Sequence, residues 1–177
     1  MDVGAGDGGY VVFRARTEPN TFAIAVDASP DGLVRGAWKA KRERLQNAAF
    51  LVESVEHFPR ELACRADEVT VHFPWGSLCR GLLDGSRPVL GPIASLMKVG
   101  AELHVLLSAV DRDGFAEVTP SVVSSRRATY SELGLHLVRA EWASSAIVAA
   151  SHSSWAKRLA VGRERRAVSA RYRRDAT

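Results

Sequence analysis

Short apolar runs alternate along this chain with longer segments in which apolar residues recur at helical spacing. The runs predict seven strands, at residues 1–4, 21–26, 49–53, 68–73, 101–109, 135–142 and 166–172. The segments between them predict helices at residues 9–16, 30–46, 77–83, 92–98 and 145–150. Residues 111–127 carry no clear period, so a loop is predicted there.

The alternation of strand and helix signals is typical of an α/β fold with helices on both faces of a parallel sheet. Ser29-Pro30-Asp31 shows how such a helix begins, because a polar cap and a proline both suit the first turn. The order of the elements predicts a doubly wound, seven-stranded sheet with one late antiparallel strand.

Composition adds limits to this picture. The 177 residues are 46% hydrophobic and 25% charged, which fits one globular domain over residues 1–177 and excludes disordered and collagen-like chains. The sequence has no apolar run long enough to span a membrane and no secretory signal, so no membrane partner is expected. Cys64 and Cys79 are fifteen positions apart without a CxxC motif, which favours reduced thiols in a cytoplasmic protein.

The net charge of +4 is concentrated in two places. Residues 157–177 hold eight basic and two acidic side chains, and residues 35–44 hold five basic side chains and one acid. Two basic islands on a neutral body are typical of a protein that binds a polyanion. A solvated helix face and a loose tail would give the same charges, but the many arginines favour nucleic acid.

The strongest local motif is the glycine-rich loop Asp2-Val3-Gly4-Ala5-Gly6-Asp7-Gly8-Gly9, which follows the first predicted strand. It matches both the dinucleotide pattern GxGxxG and the DxGxGxG of class I S-adenosylmethionine (SAM) methyltransferases. Asp2 and Asp7 would repel a pyrophosphate but attract the ammonium and sulfonium of SAM. The acids therefore favour SAM, and Asp27 after the next strand is placed to accept from ribose hydroxyls of either cofactor.

A second motif, Phe73-Pro74-Trp75-Gly76-Ser77-Leu78, follows the fourth predicted strand. The carboxyl edge of an α/β sheet borders the ligand crevice, so Trp75 can stack there on a substrate ring, although a core tryptophan is the alternative. Methyltransferases for exocyclic amines often carry Asn or Asp before the proline. Phe73 at that position favours a ring nitrogen as the methyl acceptor.

The third motif is Ser153-Ser154-Trp155-Ala156-Lys157-Arg158-Leu159, where a tryptophan on a basic amphipathic segment by itself indicates packing. Trp38 and Trp142 are likewise predicted to pack. His72 and His104 lie on predicted strands and are expected to be core residues with satisfied hydrogen bonds. The histidines show no metal-binding spacing, so no metal is expected.

Taken together, the three motifs resemble the aminoglycoside-resistance 16S rRNA (adenine(1408)-N(1))-methyltransferases of the KamB/NpmA type. The resemblance extends from Asp2 to about Tyr172, and it implies a class I, Rossmann-like methyltransferase fold with SAM as cofactor. Its implied cofactor-binding positions are Asp2, Gly4, Gly6, Asp27, Val55, Glu56, Ser77 and Ser153. Trp75 and Trp155 are implied to clamp a flipped target adenine. The implied RNA-facing positions are Lys39, Lys41, Arg42, Lys157, Arg158, Arg163 and Arg165.

The resemblance predicts methylation of N1 of an adenine in 16S rRNA of the 30S subunit, with aminoglycoside resistance as the result and a monomer as the active form. His72 departs from the family pattern, which has an apolar residue there, and Leu45-Gln46-Asn47 replaces a longer basic loop. Methylation of tRNA or a small molecule, and a non-catalytic rRNA-binding role, remain as alternatives. An NAD(P) oxidoreductase is a third.

Only Met1 precedes Asp2, so the first and central strand has almost no residues before the glycine-rich loop. Missing strand residues would leave backbone groups of the neighbouring strands unpaired. We therefore expect an open reading frame that is short by roughly 10–30 residues and a chain of low stability.

Overall fold

The computed structural model describes residues 1–109, 114, 117–158, 161 and 165–176. The strands in this part of the chain are β1 Asp2–Val3, β2 Ala23–Asp27, β3 Ala48–Val52, β4 Ala66–His72, β5 Met97–Leu107, β6 Leu135–Trp142 and β7 Val168–Arg174. The helices are α1 Gly9–Thr17, α2 Pro30–Arg42, α3 Gly76–Asp84, α4 Arg87–Leu96, α5 Pro120–Ser125, α6 Arg127–Ser131, α7 Ser145–Ala150 and α8 Ser154–Arg158. Short 3-10 turns lie at Val55–His57 and Arg60–Leu62.

The strands form one sheet in the order β3-β2-β1-β4-β5-β7-β6. β1 to β5 are parallel, and β7 is antiparallel to both of its neighbours. The predicted doubly wound, seven-stranded sheet with a late antiparallel strand is confirmed. Its strand order reverses between β1 and β4, so the crevice that such a sheet forms lies at the carboxyl ends of these two strands.

β1 has only two residues, which lie within the predicted 1–4, and both are buried. Asp2 is in register with Ala25 of β2 and with Thr70 of β4. Just before the strand, the Met1 carbonyl accepts from the Thr70 amide at 2.8 Å, and just after it the Gly4 amide donates to the Val26 carbonyl at 2.8 Å. The central strand is therefore paired on both sides over the residues present.

Several predicted boundaries were wrong. α2 ends at Arg42 instead of residue 46, because Arg44 takes a positive φ of 57° and the Leu45 amide closes onto the Ala40 carbonyl. α4 begins at Arg87 with a proline in its first turn, five residues earlier than predicted. β5 begins at Met97, so Met97 and Lys98 belong to this strand and not to the helix predicted at residues 92–98.

Part of the stretch predicted as a loop is helical. α5 follows a Thr119-Pro120 start signal, and the Thr119 hydroxyl accepts from the Val122 amide at 3.2 Å. α6 then places Tyr130 against Tyr172, with ring centroids 4.4 Å apart.

Apolar side chains cover both faces of the sheet. On one face, Val11 of α1 and Leu33 of α2 pack with Ala25 of β2. The larger cluster includes Ile93 of α4 and Leu103 of β5. No helix in the described residues is both long and apolar enough to cross a bilayer.

Candidate functional site

A cavity of about 610 Å³ opens at the carboxyl edge of the parallel strands, which is the size of a small-molecule site. Its walls come from the loops after β1, β2, β3 and β4 and from the segment that leads into α8. The chain therefore builds the cavity from segments up to about 150 residues apart. All eight predicted cofactor-binding positions are among its lining residues: Asp2, Gly4, Gly6, Asp27, Val55, Glu56, Ser77 and Ser153.

 

The glycine-rich loop forms the wall above β1. Gly6 has a φ of 58°, which a residue with a Cβ rarely adopts, and its amide donates to Asp27 Oδ2 at 2.8 Å. Gly32 of α2 packs so closely on this loop that a Cβ there would collide with the Gly6 carbonyl oxygen. The close approach of α2 therefore holds the loop in its turn.

Two carboxyl groups of the cavity differ in their surroundings. Asp27 accepts from the amides of Gly6 and Ser29, both at 2.8 Å, at the end of β2. Asp2 is only 3% exposed and accepts from the Thr70 hydroxyl at 2.7 Å. Burial raises the pKa of Asp2 to about 7, although the Thr70 hydrogen bond acts in the opposite direction.

The remaining predicted cofactor positions lie around the opening. Val55 is buried and Glu56 is exposed in the 3-10 turn that follows β3. Ser77 is exposed in the first turn of α3. The Ser153 hydroxyl accepts from the Ala156 amide at 3.2 Å at the start of α8.

Trp75 and Trp155 come from segments eighty residues apart and meet at the cavity. The family resemblance had implied that these two side chains lie together. Trp75 is 55% exposed. The ring centroids are 5.7 Å apart and the planes are inclined at 63°. A base held between two parallel rings needs about 7 Å, two van der Waals separations, so a clamp requires these rings to turn.

The predicted RNA-facing positions fall into three groups. Lys39, Lys41 and Arg42 on α2 are exposed, and so are Lys157 and Arg158 on α8. Arg165 is only 5% exposed, so the expectation that it faces RNA is not met in this structure: its side chain is enclosed by the protein. Arg163 lies outside the described residues.

The C-terminal basic island is divided by the fold. Lys157 and Arg158 lie beside the cavity. β7 carries Arg173 toward the opposite edge of the sheet, in register with Glu102 of β5, which in turn pairs with Glu68 near the start of β4. Seven strand residues span roughly 20 Å, so the described cations of this island do not lie on one surface.

Sequence reasoning missed several lining residues. Tyr10 and His72 meet edge to face, with centroids 4.6 Å apart, beside Asp2. His72 was expected to be a satisfied core residue, but its Nδ1 is buried without a hydrogen-bond partner, 3.9 Å from Asp2 Oδ1. Burial lowers the pKa of His72 to about 4, so the ring is neutral near pH 7. The signal available in the sequence was that His72 replaces the apolar residue of the family pattern.

The lining suits SAM better than a pyrophosphate. It carries six carboxyl side chains, Asp2, Asp7, Asp27, Asp31, Glu53 and Glu56, against two arginines, Arg35 and Arg158. Such a lining attracts a sulfonium and an ammonium and repels phosphates. Among the described residues, no group of three or more His, Cys, Asp or Glu side chains is placed to hold a metal ion.

The sheet order, the glycine-rich loop and this lining define a class I methyltransferase. A family model described as NpmA, 16S rRNA (adenine(1408)-N(1))-methyltransferase, matches residues 1–173. The chain belongs to this family.

Individual relatives agree. The 16S rRNA (adenine(1408)-N(1))-methyltransferase of Streptoalloteichus hindustanus is 32% identical and is matched over 93% of this chain and 81% of its own length. The 16S rRNA (adenine(1408)-N(1))-methyltransferase of Catenulisporales acidiphilia has been solved as a mutant with cosubstrate SAM. That structure is 25% identical to this chain, with a TM-score of 0.88, and the match covers 99% of this chain and 84% of that chain. A solved aminoglycoside resistance methyltransferase is 30% identical with a TM-score of 0.76, over 98% and 85% of the two chains.

Proposed function

We propose that this protein transfers the methyl group of SAM to N1 of an adenine in 16S rRNA of the 30S subunit and so confers aminoglycoside resistance. The observation that carries the proposal is the acid-lined cavity with Trp75 and Trp155 at its mouth, in a chain of this family. The protein acts as a monomeric, single domain over residues 1–177 in the cytoplasm, where its ribosomal substrate is found.

The cofactor is held by the chain's own polar groups. Asp27 is placed for the ribose hydroxyls, since its carboxylate oxygens retain lone pairs beside the amides that they already accept from. Asp2 provides a buried carboxylate for the methionine ammonium. Val55 and Glu56 border the adenine, and Gly4, Gly6, Ser77 and Ser153 complete the wall.

SAM supplies an electrophilic methyl group on a sulfonium. Adenine N1 has a lone pair and carries no proton, so the chain needs no general base and acts by positioning the base. N1 lies on the Watson–Crick edge, so the base must be flipped out of its stack. Trp75 and Trp155 hold it by stacking and favour the positive charge that develops on the ring.

The exposed cations on α2 and α8 contact rRNA phosphates. Arg35 of α2 and Arg158 of α8 both line the cavity, so both helices border it. Lys39, Lys41, Arg42 and Lys157 extend this basic surface, and Arg163 is proposed to join it. Phosphate contacts make the binding salt-dependent.

Primer extension on 30S subunits incubated with the protein and SAM tests the proposal. Methylation at N1 blocks base pairing, so a new stop is expected at the target adenine. Subunits incubated with a known methyltransferase of this family are the positive control. Absence of the stop while the control shows it would refute the proposal, and methylation of tRNA in a labelled-SAM screen would replace it.

A further inference from the structure

Trp38 lies on the solvent face of α2. Leu33, Gly36 and Ala40 form the buried face of this helix, and Trp38 points away from them with 65% of its surface exposed. The prediction that Trp38 packs in the core was therefore wrong. An indole so exposed gains little from folding, so packing does not explain it.

The surroundings of Trp38 are apolar on one side and cationic on the other. Lys41 Nζ lies 5.3 Å from its ring centroid, and Val34, one turn earlier, is half exposed. At about 100° per residue, the directions in which Arg35 and Arg42 leave the helix axis differ from that of Trp38 by no more than about 60°. In the described part of the chain, none of these three cations forms an ion pair with a carboxylate.

The surface around Trp38 is continuous with the cavity mouth. Arg35 lines the cavity. Burial lowers the pKa of His152 beside the mouth, and the next causes are the charges of Lys157 on α8 and Lys39 on α2. The charges of both helices therefore act on this ring, and Arg158 of α8 lines the same cavity as Arg35 of α2.

We propose that Trp38 stacks on an unpaired nucleotide of the rRNA substrate outside the cavity, while Lys41 contacts a neighbouring phosphate. This inference rests on the proposed function. Every nucleobase has a π face, and proteins read RNA mainly through unstacked bases held on aromatic rings. The positive charge around Trp38 matches a polyanion, and its exposed indole supplies the stacking surface.

Binding of 30S subunits by the Trp38→Ala, Trp38→Leu and Trp38→Phe variants tests the contact. Loss of one stacked base weakens binding about five-fold or more, so the Ala and Leu variants are expected to bind 30S that much less tightly. The Phe variant keeps a ring and is expected to stay near wild type. SAM affinity, measured by calorimetry, is expected to be unchanged in all three.

Phe22→Ala is the matched control. Phe22 is 61% exposed, like Trp38, but it immediately precedes β2 and so lies at the edge of the sheet opposite the cavity. The Phe22→Ala variant is expected to bind 30S subunits as tightly as the wild type does. Equal binding by Trp38→Ala and wild type, or a Leu variant that binds as well as the Phe variant, would overturn the inference.

Crosslinking identifies the occupant. A photoreactive benzoylphenylalanine in place of Trp38 is expected to crosslink to 16S rRNA, and a crosslink to a ribosomal protein instead would overturn the inference.

Primer extension with the wild type separates the two proposals. A methylation stop together with unchanged Trp38→Ala binding refutes only the Trp38 contact, whereas no stop refutes the function on which it rests.

Discussion

At the scale of single residues, we expect the buried carboxyl of Asp2 to make cofactor binding sensitive to pH. Burial raises its pKa to about 7, and a cationic ligand favours the ionised form. We expect SAM affinity to increase as the pH rises from 6 to 8, with proton release on binding. His72 stays neutral over this range because its pKa is about 4. Calorimetry in buffers of different ionisation heat measures the released proton.

Asp2→Asn is the control for this pH dependence, and it also tests stability. The folded protein holds the Asp2 proton up to about pH 7, whereas the usual pKa is 3.8. The stability that this group contributes is therefore present at acid pH and is lost as the pH rises through 7. The variant is expected to bind SAM weakly at every pH and to gain melting temperature relative to wild type at pH 8. A wild type whose SAM affinity is flat from pH 6 to 8 would contradict the prediction.

The two tryptophans at the mouth give a second residue-scale prediction. Trp75→Ala and Trp155→Ala are expected to lower methylation of 30S at least about ten-fold, since each removes a stacking surface for the base. SAM affinity is expected to stay nearly unchanged, because both rings lie at the mouth of the cavity. Calorimetry that shows loss of SAM binding in both variants would make these residues structural.

At the scale of elements, the close packing of α2 on the glycine-rich loop determines the shape of the cofactor site. A Cβ at Gly32 would collide with the Gly6 carbonyl oxygen, so the loop or the helix must move. Gly32→Ala is expected to cost about 1–3 kcal/mol of stability and to weaken SAM binding. Val34→Ala, on the solvent face of the same helix, is the matched control. Thermal melts and SAM titrations of both variants check the prediction.

Element boundaries show where the sequence pattern stops being informative. The doubly wound order followed from strand and helix periods, which are local. The end of α2 was predicted four residues late, because the positive φ of Arg44 has no glycine to announce it. The start of α4 was predicted five residues late, although Pro88 in its first turn is a start signal.

At the scale of the whole molecule, the division of the basic C-terminal segment predicts which of its charges meet RNA. Lys157 lies beside the cavity and Arg173 at the opposite edge of the sheet, and both are exposed. Lys157→Ala is expected to weaken 30S binding and to reduce the slope of log K against log salt by about one. Arg173→Ala also removes one positive charge, and it is expected to leave the 30S affinity and the salt slope unchanged. Equal effects would show that binding depends on net charge alone.

The sequence by itself determined the class of fold, the glycine-rich loop and the residue types of the site, because periodicity and loop chemistry are written in neighbouring residues. Only the tertiary structure brought Trp75 and Trp155 together across eighty residues and inclined their rings at 63°. It also buried Asp2 and Arg165 and left Trp38 exposed. Burial and electrostatic environment depend on contacts between distant segments, and those contacts exist only once the sheet has formed.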